Sequence, residues 1–311
     1  MNPIDRFRRD LDALVAADAR LGVAVSGGPD SLALLLLAAE ARPGRVEAAT
    51  VDHALRPESG AEAAFVGEAC ARLDVPHVIL SADWREKPET AIQERARAMR
   101  YRLLGDWAGE RGLTILTAHH LDDQAETLLM RLARGAGVRG LAGMRSAAHV
   151  LRPLLGWRHS ELEAVCAAAG IEPVRDPSND DEQFERVRVR KALRAMGWLD
   201  PAALAASAAH LADADEALEW AVHAEWQRAV TEDAGTIVYR PSDAPAEIRR
   251  RILRRTVLAL AAEGEPELRG GELDRLVAAL ANGEKATLRG VLCSGGVEWR
   301  FSTAPQRKLT R

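Results

Sequence analysis

At 311 residues, with 47% hydrophobic and 4% aromatic side chains, the chain can bury more than one core and must build it from Ala, Leu and Val, which excludes a disordered or collagen-like polypeptide. A net charge of -4 excludes attachment to nucleic acid by bulk charge, so any such affinity has to come from local basic clusters. Cys70, Cys166 and Cys293 are scattered and form no CxxC, so they read as buried free thiols and not as a zinc ribbon, an iron–sulfur site or a redox dithiol.

Residues 4–20 read as a short amphipathic helix carrying acids as well as arginines, which is unlike a secretory leader. Residues 21–25 (LGVAV) are a brief apolar run ending in Ser-Gly-Gly, a buried strand entering a tight turn. Residues 31–41 then form a helix that is apolar almost all round. The alternation continues with strand 46–52, helix 62–73, strand 77–83, a long helix near 90–110, strand 113–119, helix 122–135, a strand-like run at 149–155 and helix 160–170. A Pro-, Asn-, Asp- and Ser-rich loop at 176–181 leads into a basic helix between Arg186 and Arg194.

This order predicts an α/β fold, a doubly wound, mostly parallel sheet with helices on both faces, over residues 1–200. An Ala-rich helical linker follows at 201–234. A small α+β domain at 235–311 holds helices at 245–262 and 270–282 and short strands around TLRG, VLCS and VEWRFS. The longest apolar run, residues 32–39, is far too short for a membrane span, so the expectation is a soluble, cytoplasmic protein with no membrane partner.

In such sheets ligands bind at the carboxyl ends of the strands. That rule gathers residues 26–31, Asp52, His53 and residues 119–123 on one rim. The sharpest feature there is Ser26-Gly27-Gly28-Pro29-Asp30-Ser31, between a buried strand and a buried helix. Two glycines permit a tight turn and close approach to a ligand, Ser31 reads as the helix cap, and the helix N-terminus favours a phosphate. The loop is neither GxxxxGK[ST] nor GxGxxG.

His119, His120, Asp122 and Asp123 admit three readings: a metal site, a polar helix start, or a cluster facing substrate and nucleotide. Asp123 and Glu126, three apart on one helix face, could hold an ammonium group or Mg²⁺. Arg97 and Arg100 share a face and could neutralise phosphate charge or pair with Glu94. Asp30 is the tentative Mg²⁺ ligand. Two one-signed clusters stand out, one of Arg186, Arg188, Arg190, Lys191 and Arg194, the other of Arg249, Arg250, Arg251, Arg254 and Arg255. A solvated helix face normally mixes signs, so both fit phosphate contacts.

The hexapeptide resembles the signature of the PP-loop ATP pyrophosphatases. Val51-Asp52-His53-Ala54-Leu55-Arg56-Pro57, Glu94-Arg95-Ala96-Arg97 with Arg100-Tyr101, the block TAHHLDDQAETLLMRLARGAGVRGLAGM at 117–144, Arg152-Pro153-Leu154-Leu155 and Asp176-Pro177-Ser178-Asn179 resemble the tRNA(Ile)-lysidine synthase family in its short form. The resemblance implies ATP and Mg²⁺, with the nucleotide on Ser26, Gly27, Gly28, Pro29, Asp30, Ser31, Asp52, His53, His119 and His120. It implies substrate handling by Asp122, Asp123 and Glu126, with the basic clusters meeting tRNA. The implied partners are free L-lysine and an isoleucine tRNA with a CAU anticodon, whose wobble cytidine is adenylated and then joined to lysine. One departure is Arg186-Val187-Arg188, where the family usually has Arg-Asn-Arg. A PP-loop tRNA thiolase, a small-molecule synthetase and a non-catalytic RNA-binding module are the rival readings. Oligomeric state is left open, a homodimer included.

Overall fold

The computed structural model describes residues 2–53, 59–84, 92–147, 149–174, 181–241, 243–262, 268 and 270–305. Residues 54–57 of the VDHALRP element and the DPSN loop at 176–179 lie outside the described residues. The chain divides into two units, Met1–His210 and Leu211–Arg311.

The first unit runs α1 (Pro3–Asp12), β1 (Leu21–Ala24), α2 (Pro29–Ala41), β2 (Val46–Asp52), α3 (Ser59–Arg72), β3 (His77–Ser81), α4 (Ile92–Arg111), β4 (Thr114–Leu116), α5 (Leu121–Ala133), α6 (Val138–Leu141), β5 (Val150–Leu151), α7 (His159–Ala168) and α8 (Glu185–Ala195), and ends within α9 (Pro201–Ala229). The strand order is β3-β2-β1-β4-β5 and every pairing is parallel. Parallel neighbours need helical crossovers, which cover the sheet and bury its strands. One core joins Leu32, Leu34 and Leu35 of α2 to Phe7 of α1, Cys70 of α3 and Leu162 of α7. Another packs Leu104, Trp107 and Ala108 of α4 on Ala49 and Ile115 of the sheet. Gly22 makes this packing possible, because a Cβ there would lie 2.7 Å from the Trp107 ring.

Several local outcomes differ from the sequence expectation. The first helix stops at Asp12 instead of running to residue 20, because its buried contacts end with Phe7 and Leu11. The strand expected at 149–155 shrinks to Val150–Leu151. Pro153 has no N–H for a ladder, and the amides of Leu155 and Trp157 turn back to the carbonyls of Arg152 and Leu154. The helix expected to reach 234 ends at Ala229.

The second unit continues with β6 (Val230–Asp233), β7 (Thr236–Tyr239), α10 (Ala246–Leu260), α11 (Gly270–Ala281), β8 (Lys285–Leu288), β9 (Val291–Ser294) and β10 (Trp299–Thr303). Strand β6 was unexpected; Ala234 at φ 43° and Gly235 at φ 80° make the two-residue turn that folds it onto β7. The antiparallel order is β6-β7-β10-β9-β8. Ile252, Leu253 and Val257 of α10 and Leu276 and Leu280 of α11 pack on Tyr239, Trp299 and Phe301.

Candidate active site

Past β1 the Val25 amide still donates to Ala49, at 2.9 Å, and the chain then leaves the sheet at Ser26. Gly27 has φ 85°, a left-handed conformation that costs other residues energy. Gly28 is extended, and Pro29 starts α2, its fixed φ suiting the first helical position. The cap assignment for Ser31 is therefore corrected. Ser31 lies inside the helix, where its Oγ accepts from the Ser26 amide at 3.1 Å and donates to the Gly28 carbonyl at 3.0 Å, stitching the loop closed. The Val174 amide donates to Gly27 and the Cys166 thiol to Pro29, so the loop is braced from behind. A Cβ on Gly28 would meet nothing nearer than 3.9 Å, so the loop's inner side is open to a ligand. The unpaired amides and the dipole of α2 make that side an anion site.

Asp30, in the first turn of α2, meets residues from two other elements. His159 Nδ1 lies 2.7 Å from Asp30 Oδ1, and His120 Nε2 lies 3.5 Å from Oδ2. His120 precedes α5 and also faces Asp122 at 3.5 Å and Asp123 at 3.6 Å. The His159 amide donates to Asp122 at 2.8 Å, closing a network across α2, α5 and α7. Burial alone would depress the basicity of His120, only 4% exposed, but the carboxylates of Asp122 and Asp30, each 3.5 Å from a ring nitrogen, and the charge of Asp123 push its pKa up to about 10. Burial pushes Asp30 up, yet His120 and His159 outweigh it and hold the carboxylate well below its usual range. Asp122 falls to about 2 chiefly through the adjacent His120 ring. The cluster is thus an ion-pair network in which His120 is a buried imidazolium.

His159 was missed by sequence reading. The signal was present: it opens a helix shortly after Arg152-Pro153-Leu154-Leu155, as His120 does after β4. Nothing in the sequence, however, shows that α7 packs on α2.

His119 is neutral. Burial, together with the charges of Arg152, Arg97 and Arg186, lowers its pKa to about 4 against the opposing pull of Asp123. Arg152 joins Arg97 and Arg186 around this position, a cation the site reading had not included. Arg97 and Arg100 both lie over the Tyr101 ring, at 5.0 and 5.5 Å. Arg100 also acts on His53, whose pKa is lowered chiefly by burial and then by Arg100. Asp52 and His53 end β2 on the same rim.

The Asp123–Glu126 pair departs from its expected form. Both residues do share a face of α5, but Arg186 Nε lies 2.8 Å and Arg190 Nε 2.6 Å from the Glu126 carboxylate, which is 2% exposed. Arg186 also lies 3.3 Å from Asp123, whose other oxygen accepts from the His120 amide at 3.2 Å. The expected cradle for an ammonium is therefore spanned by Arg186, and Glu126 holds α8 against α5. This corrects Glu126 as an open ligand and accounts for two of the five cations on α8. Arg188 donates to the Glu182 and Gln183 carbonyls. Val187, within α8, is buried.

In the second unit the arginine cluster is less one-sided than its sequence. Arg251 is 6% exposed and bonded to Asp215, Glu219 and Glu247, so its reading as a phosphate contact is corrected: it is enclosed by acids from α9 and its own helix. Arg250 pairs with Glu247 and Asp274, and Arg255 covers Trp226 at 4.5 Å. Arg249 is half-buried and Arg254 has a partner of its own.

The His120 network sets a pH dependence. A histidine whose folded pKa exceeds its unfolded value stabilises fully below the unfolded pKa, about 6.5, and loses that contribution as pH rises through the folded value. Stability should therefore decline between about pH 6.5 and pH 10 with a slope of up to about 1.4 kcal/mol per pH unit from this group. Urea titrations across that range should show the decline in the wild type and its flattening in His120→Asn. Parallel curves for the two proteins would contradict the assignment.

An anion loop at a parallel-sheet switch point, with Asp30 held by two histidines at its helix start, is the arrangement of a PP-loop domain, and the PP-loop domain family model matches residues 3–196. The relatives narrow this. The tRNA(Ile)-lysidine synthase of Novosphingobium aromaticivorans is 48% identical over 98% of this chain and 95% of its own length. That of Zymomonas mobilis subsp. mobilis is 41% identical over 93% and 90%. The chain belongs to the tRNA(Ile)-lysidine synthase family. Among solved structures, the U34-tRNA thiolase NcsA from Methanococcus maripaludis is similar with a TM-score of 0.56 and 16% identity, covering 68% of this chain and 78% of its own, a likeness of fold alone.

Proposed function

We propose that this chain uses ATP to adenylate the wobble cytidine of an isoleucine tRNA with a CAU anticodon and then joins free L-lysine to C2 of that base, releasing AMP. The observation that carries the reading is the stitched Ser26–Ser31 loop, with Asp30 clamped between His120 and His159, in a chain that spans nearly the whole length of relatives carrying that name. The loop's amides and the α2 dipole would receive the polyphosphate. The base's O2 attacks the α-phosphorus and pyrophosphate leaves; lysine's ε-amine then attacks C2 and the O2–C2 bond breaks with AMP as the leaving group. Adenylation turns a poor leaving group into a good one and splits one hard displacement into two easier ones.

The arginines around His119 suit the first step, because fixed cations stabilise negative charge growing on phosphate oxygens. Neutral His119 can accept a hydrogen bond from a cationic or polar substrate without repelling it. Asp122 and Asp123 are the carboxylates that would meet lysine's ammonium group, with Glu126 acting on them through Arg186. Asp30 supplies one hard oxygen donor beside the loop, which fits Mg²⁺ held mainly by phosphate oxygens; the imidazoles beside it are poor Mg²⁺ ligands, so a cage built from protein alone does not fit. When bound, the ion would offset phosphate charge.

A thiolase reading has no support in the thiols. Cys70, Cys166 and Cys293 are free and buried, with burial pushing each pKa up to about 11, the reverse of an activated thiolate. The adenylation half is tested by pyrophosphate release from Mg-ATP in the presence of the CAU isoleucine tRNA or of elongator methionine tRNA with the same anticodon. Release stimulated by the isoleucine tRNA alone is expected. Equal release with both, or with neither, would contradict the reading.

A further inference from the structure

Trp198 is 81% exposed in the short turn between α8 and α9, and Met196 beside it is 42% exposed. A tryptophan is the costliest apolar side chain to leave in water, and the surrounding chemistry is cationic. Helix α8 carries Arg186, Arg188, Arg190, Lys191 and Arg194 against a single acid, Glu185. Arg186 and Arg190 are turned to Glu126, whereas Arg194, one turn before Trp198, is exposed.

The turn is held in place. The Leu199 amide donates to Met196 at 2.9 Å, and Asp200 Oδ1 accepts from the Ala202 amide and from Arg158, each at 3.0 Å. Arg158 is the residue before His159, which contacts Asp30. The short stretch Trp198–Asp200 and the Asp200–Arg158 ion pair therefore tie this turn to the residue before His159. An exposed aromatic face in a turn that follows a basic helix and is tied to the site by an ion pair suits an unpaired base. Every base has a π-face, and single-stranded RNA is gripped by stacking on aromatics flanked by arginine. The exposed apolar surface is one indole and one thioether, too small for stable protein docking.

We infer that Trp198, flanked by Met196 and Arg194, is a stacking platform for an unpaired nucleotide of the anticodon loop next to the reacting cytidine. The inference rests on the proposed function. It assigns Trp198 to substrate positioning, outside the chemical steps.

The test compares wild type, Trp198→Ala and Trp198→Phe in binding a labelled anticodon stem–loop RNA bearing CAU, in binding ATP, and in sedimentation. The alanine variant should bind the RNA about 10-fold or more weakly, bind ATP as wild type does and melt at the wild-type temperature, while phenylalanine restores most of the RNA affinity. RNA affinity unchanged in the alanine variant would overturn the inference. So would a change in sedimentation without a change in RNA affinity, because the turn would then be a contact between copies of the chain. Wild-type protein that binds no stem–loop at all would overturn the functional reading, and this inference with it.

Discussion

Asp30→Asn should lower the rate of tRNA-dependent pyrophosphate release by about 100- to 1,000-fold, the usual cost of removing one preorganised charge from a site of phosphoryl chemistry. The substitution keeps the shape of the side chain and removes its charge. It acts at the point where α2, α5 and α7 meet, since the carboxylate touches both His159 and His120. Two further readouts separate a lost role in chemistry from a broken fold. The Asn amide can still bond His159, so the melting temperature near pH 7 should fall only modestly. The imidazolium of His120 would lose one of its anionic partners, so its folded pKa falls, and the decline in stability above about pH 6.5 should be smaller and level off at lower pH than in the wild type. A variant with full pyrophosphate release would remove Asp30 from the mechanism. One that fails to fold would show that the network is chiefly structural.

Arg251→Ala should destabilise the second unit by about 3–5 kcal/mol, read by urea unfolding. Its guanidinium sits between Asp215 at 2.7 Å, Glu219 at 2.8 Å and Glu247 at 2.8 Å. Glu219 and Glu247 reach solvent and can rehydrate, but Asp215 is 2% exposed and would lose the guanidinium 2.7 Å from its carboxylate with little access to water. The double variant Arg251→Met with Asp215→Leu should recover most of the loss, because replacing a buried pair by apolar groups is commonly near neutral. A single variant as stable as the wild type would mean that water reaches Asp215. Neither protein needs tRNA for this measurement, which keeps it independent of the function assigned.

The same arginine shows where the sequence stops being informative. A run with Arg249, Arg250, Arg251, Arg254 and Arg255 reads as a basic face, and the helix it builds does run from Ala246 to Leu260. One of the acids that neutralise it, Glu247, lies on the same helix, but Asp215, Glu219 and Asp274 come from α9 and α11, and no local pattern brings those there. That the first unit holds a parallel sheet was legible because strand and helix periods alternate cleanly; the order β3-β2-β1-β4-β5 was not. The strand lengths were less so: ladders end where Pro153 lacks an amide or where a turn captures one. The phosphate loop was legible from Gly27 and Gly28, whereas the role of Ser31 depended on Pro29 moving the helix start forward. Similarly, Asp123 and Glu126 were correctly placed on one face, but the arginine spanning them comes from α8, 60 residues beyond Glu126. His159 was invisible for the same reason. The residues missed or misread are those whose meaning is set by a helix–helix contact.

The most direct test of the account is incorporation of labelled lysine. Purified protein, Mg-ATP and labelled L-lysine would be incubated with the CAU isoleucine tRNA and, separately, with elongator methionine tRNA. The account predicts label on the isoleucine tRNA alone, dependent on ATP and accompanied by AMP. Pyrophosphate release without any lysine transfer would contradict it, leaving an adenylating enzyme with a different nucleophile.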